Sequence, residues 1–439
     1  MFKKIIRLFI IQILKIIGNI SVSVYKFFFY KNGIRYTTPS VQTYGDALKH
    51  YQYVILLSKY YKTDYHVISI NREPCKSILP FFFKKENYSL YNEFIYCFFK
   101  KILNFLPNTS GLAKEFDHHI LEKIGSKFSY FGYYKKKYLA DKDNLLKLLK
   151  KKQSNSFLQA YHAAKSEDNK DQSLHKLSIL SKKINLDFVN EILGYPNEYF
   201  KNLKEKLNIN KKYICIHIRN NNDLLFQDPG STYEFDKYNL LLNFLLENNY
   251  QIIIIGNNKD IEFKKISNKN IIYYNKSLFQ NITNDYYLII NCDFYIGNNS
   301  GPMLVPDVFS KFSLILDSVH IGFTTCSSYD YRRYRLKKYY YKATKKEVNF
   351  YELVNTKIFF SRTLKDHNFE GIYVEELNEH EKLKELKLFI QDIKQNKIGK
   401  VTTSHMNLSK YIDNYYLRLN NYFCGYSQEY LDEQLKKFK

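Results

Sequence analysis

The sequence has no tryptophan, and only nine of its 67 basic residues are arginine. The few cysteines, Cys75, Cys97, Cys215, Cys292, Cys326 and Cys424, are scattered, with no C-x-x-C pair and no histidine at zinc-finger spacing. That excludes a zinc-ribbon or finger module and argues against a disulfide framework. A reduced, cytosolic chain without structural metal is expected. No solenoid-period repeat is visible, which sets aside the repeat architectures. A clean apolar run of about 20 residues, as a spanning helix needs, is missing too: the apolar opening, residues 1–30, is interrupted by Arg7, Gln12, Lys15 and Asn19.

What is present is a chain of 439 residues, too long for one compact core and of a size for two domains with terminal additions. Hydrophobic residues make up 45% and aromatic residues 17%, enough apolar surface to rule out global disorder. The formal net charge of +24 raises nucleic acid, anionic membrane or phosphorylated ligands as partners. Much of it is lysine, in company with the Asn, Ile, Tyr and Phe that A/T-rich codons encode, so part of the charge reflects codon bias. Residues 1–30 fit a basic amphipathic helix on an anionic membrane surface, with Lys3, Lys4, Arg7 and Lys15 among the apolar positions. A spanning helix and a signal peptide are the rivals.

Further along, residues 34–41 read as a strand, 46–61 as a helix and 65–71 as a strand, a β-α-β opening. Residues 80–105 fit no pattern, and 141–180 look helical with an exposed break that suggests an interdomain region. The second half alternates more clearly. Strands are expected over 213–219, 251–255, 271–274, 294–296 and 312–316, and helices over 202–207, 235–247, 285–290 and 302–309. Such alternation indicates parallel sheets covered by helices on both faces. The expected division is a membrane-surface segment over 1–30, an N-terminal α/β domain over 31–180, a C-terminal α/β domain over 181–345 and a helical extension over 346–439.

Two motifs in the second half could carry chemistry. In ICIHIR, followed by NNND, alternation puts His217 and Arg219 on one face of a strand and Ile214, Ile216 and Ile218 on the other. This is the carboxyl end of a strand, where open α/β sheets bind ligands. Arginine's planar fork suits a diphosphate in a way lysine does not; an ordinary solvated strand end is the bland alternative. The second motif is GNNSGP, residues 297–302, between a strand and a helix. Its glycines allow unusual backbone angles, Ser300 can cap the helix and Pro302 suits the first turn. The exposed N–H groups there would make an anion site, or the segment is a plain well-capped turn.

The stretch KYICIHIRNNND, the following helix, YQIIIIGNN, and NDYYLIINCDFYIGNNSGPMLVPDVFSKFSLIL together resemble a family of bacterial glycosyltransferases found in surface-polysaccharide gene clusters. The same residues are similar to the fucosyltransferases with their H-x-R motif and to the heptosyltransferases with a polar residue, Ser or Thr, Gly and Pro at the donor site. The resemblance is good over about residues 200–320 and loose before them. It implies an α/β fold of two Rossmann-like domains (GT-B), with parallel sheets flanked by helices. It implies that Arg219 contacts the donor diphosphate beside His217, and that Asn299, Ser300 and Gly301 bind phosphate or ribose. The fucosyltransferase acid falls one residue late here, at Asp223, which leaves fucose unsupported. Tyr44-Gly45-Asp46 resembles the heptosyltransferase turn whose Asp is a candidate base, although Asp46 could equally cap its helix.

The expectation is therefore a metal-independent enzyme that uses a nucleotide-sugar and no further cofactor. Its partners would be that donor, a glycan or lipid-linked acceptor and the inner face of the cytoplasmic membrane. A non-catalytic carbohydrate- or membrane-binding protein on the same fold is the alternative. The run YDYRRYRLKKYYY, residues 329–341, mixes aromatics and cations as single-strand nucleic-acid grooves do, but fits first a solvated helix face and second an acceptor or membrane contact. No nucleic-acid fold motif accompanies it, so no nucleic-acid partner is expected. His118-His119 has no ligand spacing and reads as surface; residues 375–395 read as a charged amphipathic helix.

Overall fold

The computed structural model describes residues 34–37, 65–73, 75–82, 87–92, 197–219, 234–256, 266, 268–298, 300–309, 311–319, 331–353, 371–410 and 425–438. The chain divides into two compact units, Met1–Ile184 and Asn185–Lys439. Residues 1–30, Asp46 and its helix, and His118-His119 lie outside the described residues. Among those described, no helix is long and apolar enough to cross a membrane.

In the first unit, β1 (Ile34–Thr37), β2 (Tyr65–Ile70) and β3 (Tyr88–Tyr91) form a parallel sheet in that order. The connection from β2 to β3 carries α1 (Cys75–Phe82). Cys75, Ile78 and Leu79 recur at the i, i+3, i+4 spacing of one helix face, and all three are buried, as are Val67 and Ile70 of β2. Residues 80–105, which fit no sequence pattern, thus contain the end of α1 and all of β3.

The second unit holds a six-stranded parallel sheet flanked by helices. In chain order its elements are α2 (Asn197–Lys206), β4 (Tyr213–His217), α3 (Asn239–Glu247), β5 (Gln251–Ile254), β6 (Ile271–Ile272), α4 (Ile282–Asn291), β7 (Tyr295–Gly297), α5 (Leu304–Val308), β8 (Ser313–Ser318) and β9 (Arg332–Leu336). The strands lie in the order β6-β5-β4-β7-β8-β9, and every pair is parallel. Counted within this sheet the order is third, second, first, fourth, fifth, sixth, so the direction of winding reverses between β4 and β7.

The strands are apolar on both faces because both faces are covered. Ile214, Ile216 and Ile218 join Leu241, Leu242 and Leu245 of α3 in the main core, where Ile252, Ile254, Ile296, Leu314 and Leu316 also lie. On the other face, the Tyr213 hydroxyl donates to the carbonyl of Leu288 in α4 at 3.0 Å, and Phe200 of α2 stacks on Tyr287 of α4. The entrance to β4 is clasped by buried Gln251: its Oε1 accepts from the N–H groups of Asn210 (2.8 Å) and Lys211 (2.9 Å), and its Nε2 donates to the carbonyl of Asn208 (2.9 Å). A polar side chain can start a buried strand because every polar atom on it finds a partner.

The remainder comprises β10 (Lys338–Tyr341), α6 (Phe350–Leu353), β11 (Ile372–Glu375), α7 (Glu379–Lys394), α8 (Thr403–Lys410) and α9 (Gln428–Phe438), with β10 and β11 paired antiparallel. Residues 346–439 are not purely helical, since they include β11. Nor do they stand apart from the sheet. Leu386 and Phe389 of α7 and the preceding Leu377 belong to the main core, Phe389 meeting Phe294 edge-on at 5.6 Å. A capping box starts α7: Asn378 Oδ1 accepts from Glu381 N–H, and Glu381 Oε2 accepts from Asn378 N–H, both at 2.9 Å.

The aromatic and basic run over 329–341 is neither a helix nor solvated where it is described. It forms β9 and β10, and Arg332, Arg333, Tyr334, Leu336 and Tyr339 are buried. The helix expected over 302–309 is shorter, a 3-10 turn over Gly301–Met303 followed by α5.

Candidate functional site

Reversal of winding leaves a crevice at the carboxyl ends of two adjacent strands, because the chain segments leaving them depart to opposite faces of the sheet. Here those strands are β4 and β7. Their ladder aligns Cys215 with Tyr295, Ile216 with Ile296 and His217 with Gly297. The two sequence motifs, one following each strand, therefore meet at the switch point.

Past the end of the backbone ladder, Asn298 replaces it with a side chain: its Oδ1 accepts the N–H of Arg219 at 3.2 Å. That bond fixes the amide's orientation and leaves Nδ2 as a donor. Asn298 is fully buried, and Nδ2 has no hydrogen-bond partner among the described residues. Arg219 itself is half-buried at the edge of the crevice. Alternation along the strand holds, with Ile218 in the core and His217 and Arg219 on the more open side.

His217 Nδ1 lies 3.0 Å from the Ser300 hydroxyl, which also donates to the carbonyl of Asn298 at 3.2 Å. The opposite edge of the ring meets Gly256, just beyond β5. A Cβ on Gly256 would lie 2.5 Å from His217 Cδ2 and 2.8 Å from Nε2, and the backbone there has φ +102. Glycine is required twice over, for the backbone angle and for the ring. Burial, and secondly the charge of Arg219, lower the His217 pKa to about 4, so the imidazole is neutral at pH 7.

Ser300 occupies the N-cap position of the turn Gly301–Met303, yet its side chain makes no capping bond. The hydroxyl serves His217 instead. With only three 3-10 residues and the five-residue α5 behind it, this turn has little of the helix dipole that the sequence led one to expect. Gly297 is also not in the left-handed region. It is small because the Tyr295 hydroxyl occupies the space, 2.5 Å from where a Cβ would stand.

The turn is held from below by Arg332 of β9, whose Nη2 donates to the carbonyl of Met303, Nη1 to the Tyr334 hydroxyl (2.9 Å) and Nε to the Ser313 hydroxyl (3.3 Å). Thus His217, Arg219 and Ser300 come together, with Gly301 following Ser300 directly. Asn299 and Asp223 lie outside the described residues. Asn298, Gly256 and Arg332 were missed: the sequence shows two asparagines before Ser300, and only the strand register tells which one reaches Arg219. Among the described residues, no group of three or more His, Cys, Asp or Glu could hold a metal ion.

No family model matches the chain, and no curated protein matches it. Among solved structures, the chain is similar to that titled as wall teichoic acid polymerase TagF, with 13% identity, covering 100% of this chain and 98% of that one, at a TM-score of 0.36. A likeness this loose carries no weight for function.

Proposed function

We propose that the protein is a glycosyltransferase that moves a sugar from a nucleotide-sugar donor to a surface-glycan precursor, a polysaccharide or lipopolysaccharide intermediate. The observation that carries this reading is the convergence of Arg219, His217, Asn298 and Ser300 at the switch point of a parallel sheet, where nucleotides are bound in folds of this winding. In the proposed reaction an acceptor hydroxyl attacks the anomeric carbon, forming a new C–O bond as the bond from that carbon to the diphosphate oxygen breaks. The electron pair leaves on the nucleoside diphosphate, and Arg219 meets the growing negative charge with paired N–H donors. The acceptor proton goes to a carboxylate, for which Asp46 is the candidate. The scheme is metal-independent, with Arg219 supplying the positive charge at the diphosphate.

Asn299, Ser300 and Gly301 are proposed to line the phosphate or ribose of the donor. Residues 1–30 are proposed to hold the enzyme at the inner face of the cytoplasmic membrane, where lipid-linked acceptors are found. The test is a panel of nucleotide sugars assayed for saturable binding and for transfer or hydrolysis. Turnover of one donor supports the reading, binding without turnover gives a binding module, and neither refutes it. With the donor in hand, Asp46→Asn keeps the side chain's size and capping ability but removes its basicity. Turnover is expected to fall at least tenfold with unchanged donor affinity, whereas normal turnover would leave Asp46 as a helix cap.

A further inference from the structure

Ser300 Oγ has three polar neighbours, Asn298 O, His217 Nδ1 and the Tyr295 hydroxyl, and one proton to give. Asn298 O, at 3.2 Å, is a carbonyl and can only accept, so it is hydrogen-bonded to Ser300 only if the serine proton goes there. The contact of 3.0 Å to His217 Nδ1 is then a hydrogen bond only if the ring nitrogen donates. With both bonds made, the proton of the neutral imidazole sits on Nδ1 and Nε2 keeps a bare lone pair. Nε2 has no hydrogen-bond partner among the described residues, and the ring cannot turn freely, being wedged between Ser300 and the backbone of Gly256.

We infer that His217 is a hydrogen-bond acceptor for a hydroxyl of the bound ligand, either on the ribose of the nucleotide or on the transferred sugar, and not a cationic contact for phosphate. An unprotonated Nε2 repels a phosphate oxygen and suits an O–H donor. Phosphate recognition would then fall to Arg219 and to N–H groups such as Asn298 Nδ2, the buried donor left without a partner beside it. The depressed pKa agrees: a ring this weakly basic makes a poor general base but remains a competent acceptor. The inference rests on the nucleotide-sugar reading for its ligand, whereas the tautomer rests on the geometry alone.

The two parts are tested separately on the full chain. Nitrogen-15 NMR of wild-type protein at neutral pH, with the His217 signals assigned from their loss in His217→Gln, reads the tautomer directly. A protonated Nδ1 and bare Nε2 are expected, and a proton on Nε2 overturns the inference whatever the ligand is. For the ligand, nucleoside diphosphates are titrated beside their 2′-deoxy and 3′-deoxy forms, and beside the corresponding nucleotide sugars.

His217→Asn places an amide near Nδ1, retaining the bond to Ser300 but losing the acceptor at Nε2; His217→Gln places an acceptor near Nε2. Asn is expected to weaken binding about 2- to 10-fold, the ordinary worth of one hydrogen bond, and Gln to retain most of it. If the Asn variant also stops distinguishing ribose from deoxyribose, the hydroxyl is the ribose's. If only nucleotide-sugar affinity falls, it is the transferred sugar's. Equal affinities for wild type and both variants across all ligands overturn the hydroxyl assignment, even where Arg219-dependent binding of nucleoside diphosphate still upholds the proposed function. Should wild type bind no nucleoside diphosphate or nucleotide sugar, the hydroxyl assignment falls with that function and the tautomer stands or falls by NMR.

Discussion

Under α7, buried charge is met with opposite charge: Lys382 pairs with Asp317, Arg333 with Asp392, and Arg335 approaches Glu385 at 4.0 Å. Asp317, in a left-handed backbone conformation (φ 55), also accepts the N–H of Leu377 at 2.8 Å, and the Lys382 ammonium stands 4.6 Å from the centre of the Tyr238 ring. Between the ends of β4 and β7 the polar side chains of His217, Ser300 and Asn298 are uncharged. His217, Ser300 and Asn298 bond to one another and to backbone, and among the described residues Asn298 Nδ2 is a donor left over. The first arrangement ties a helix to a sheet. The second is a set of uncharged groups that hold one another at the ends of two strands. The contrast is one of kind more than degree, since Arg333 Nε and Nη1 and Glu385 Oε1 also lack hydrogen-bond partners under α7.

The sharpest way to break this comparison is to remove one ion of the α7 set. Lys382→Ala strands the Asp317 carboxylate in the core and is expected to cost about 3–5 kcal/mol, measured by denaturant unfolding. Replacing both, as Asp317→Asn with Lys382→Met, is expected to cost less than the single change. Nucleoside diphosphate affinity of the folded protein should be untouched in both variants. A large loss of affinity there would mean that the two regions are not separate.

Gly256→Ala approaches the crevice from the other side. A Cβ must displace the His217 ring, and the backbone angle adds strain of about 1–3 kcal/mol, so both stability and ligand affinity are expected to fall. If thermal unfolding and binding both match wild type, the wedge around His217 is not as described.

A smaller effect should appear in the pH dependence of stability. Burial pushes the Asp285 carboxyl of α4 up to about 8, and neither oxygen has a hydrogen-bond partner. Between about pH 4 and 8 the folded state keeps this proton while the unfolded chain releases it, so the contribution to stability falls as pH rises through that window. His217 works in the opposite sense. Its folded pKa of about 4 lies below the ordinary 6.5, so its contribution is present above 6.5 and is lost as pH falls toward 4. Asp285→Asn is expected to flatten the decline across about pH 4 to 8, most visibly above 6.5, where His217 adds no slope. An unaltered slope on the alkaline side would show that Asp285 is ionised in the folded protein.

The parts of this structure that were legible in the sequence are those governed by local pattern. The run QIII reads as a buried parallel strand and forms β5; alternation in ICIHIR separates the isoleucines of the core from His217 and Arg219, as found. β9 was not legible. RRYRL reads as exposed, and it is buried because Asp392 and Glu385, 59 positions after Arg333 and 50 after Arg335 on α7, supply compensating charges. β6, two residues long, was expected to be twice that, since a short strand leaves little periodicity to bound it. In the site, residue types pointed to the two motifs, but the bond from Asn298 to Arg219 depends on register, and the role of Gly256 on a ring belonging to a neighbouring strand. Ser300 looked like a cap and is a partner for histidine, because the helix it would cap is too short to need one side chain more than the ring does.

The central claim is that Arg219 binds the diphosphate of a nucleotide donor, and calorimetric titration of folded wild-type, Arg219→Lys and Arg219→Ala proteins with several nucleoside diphosphates tests it most directly. Lysine retains the charge but not the two-pronged donor geometry, so affinity is expected to fall in the order wild type, Lys, Ala. Loss of a charge-assisted bond of about 1.5–3 kcal/mol corresponds to roughly one to two decades in affinity for the alanine variant. Equal affinity in all three proteins would contradict the account and remove Arg219 from the donor site.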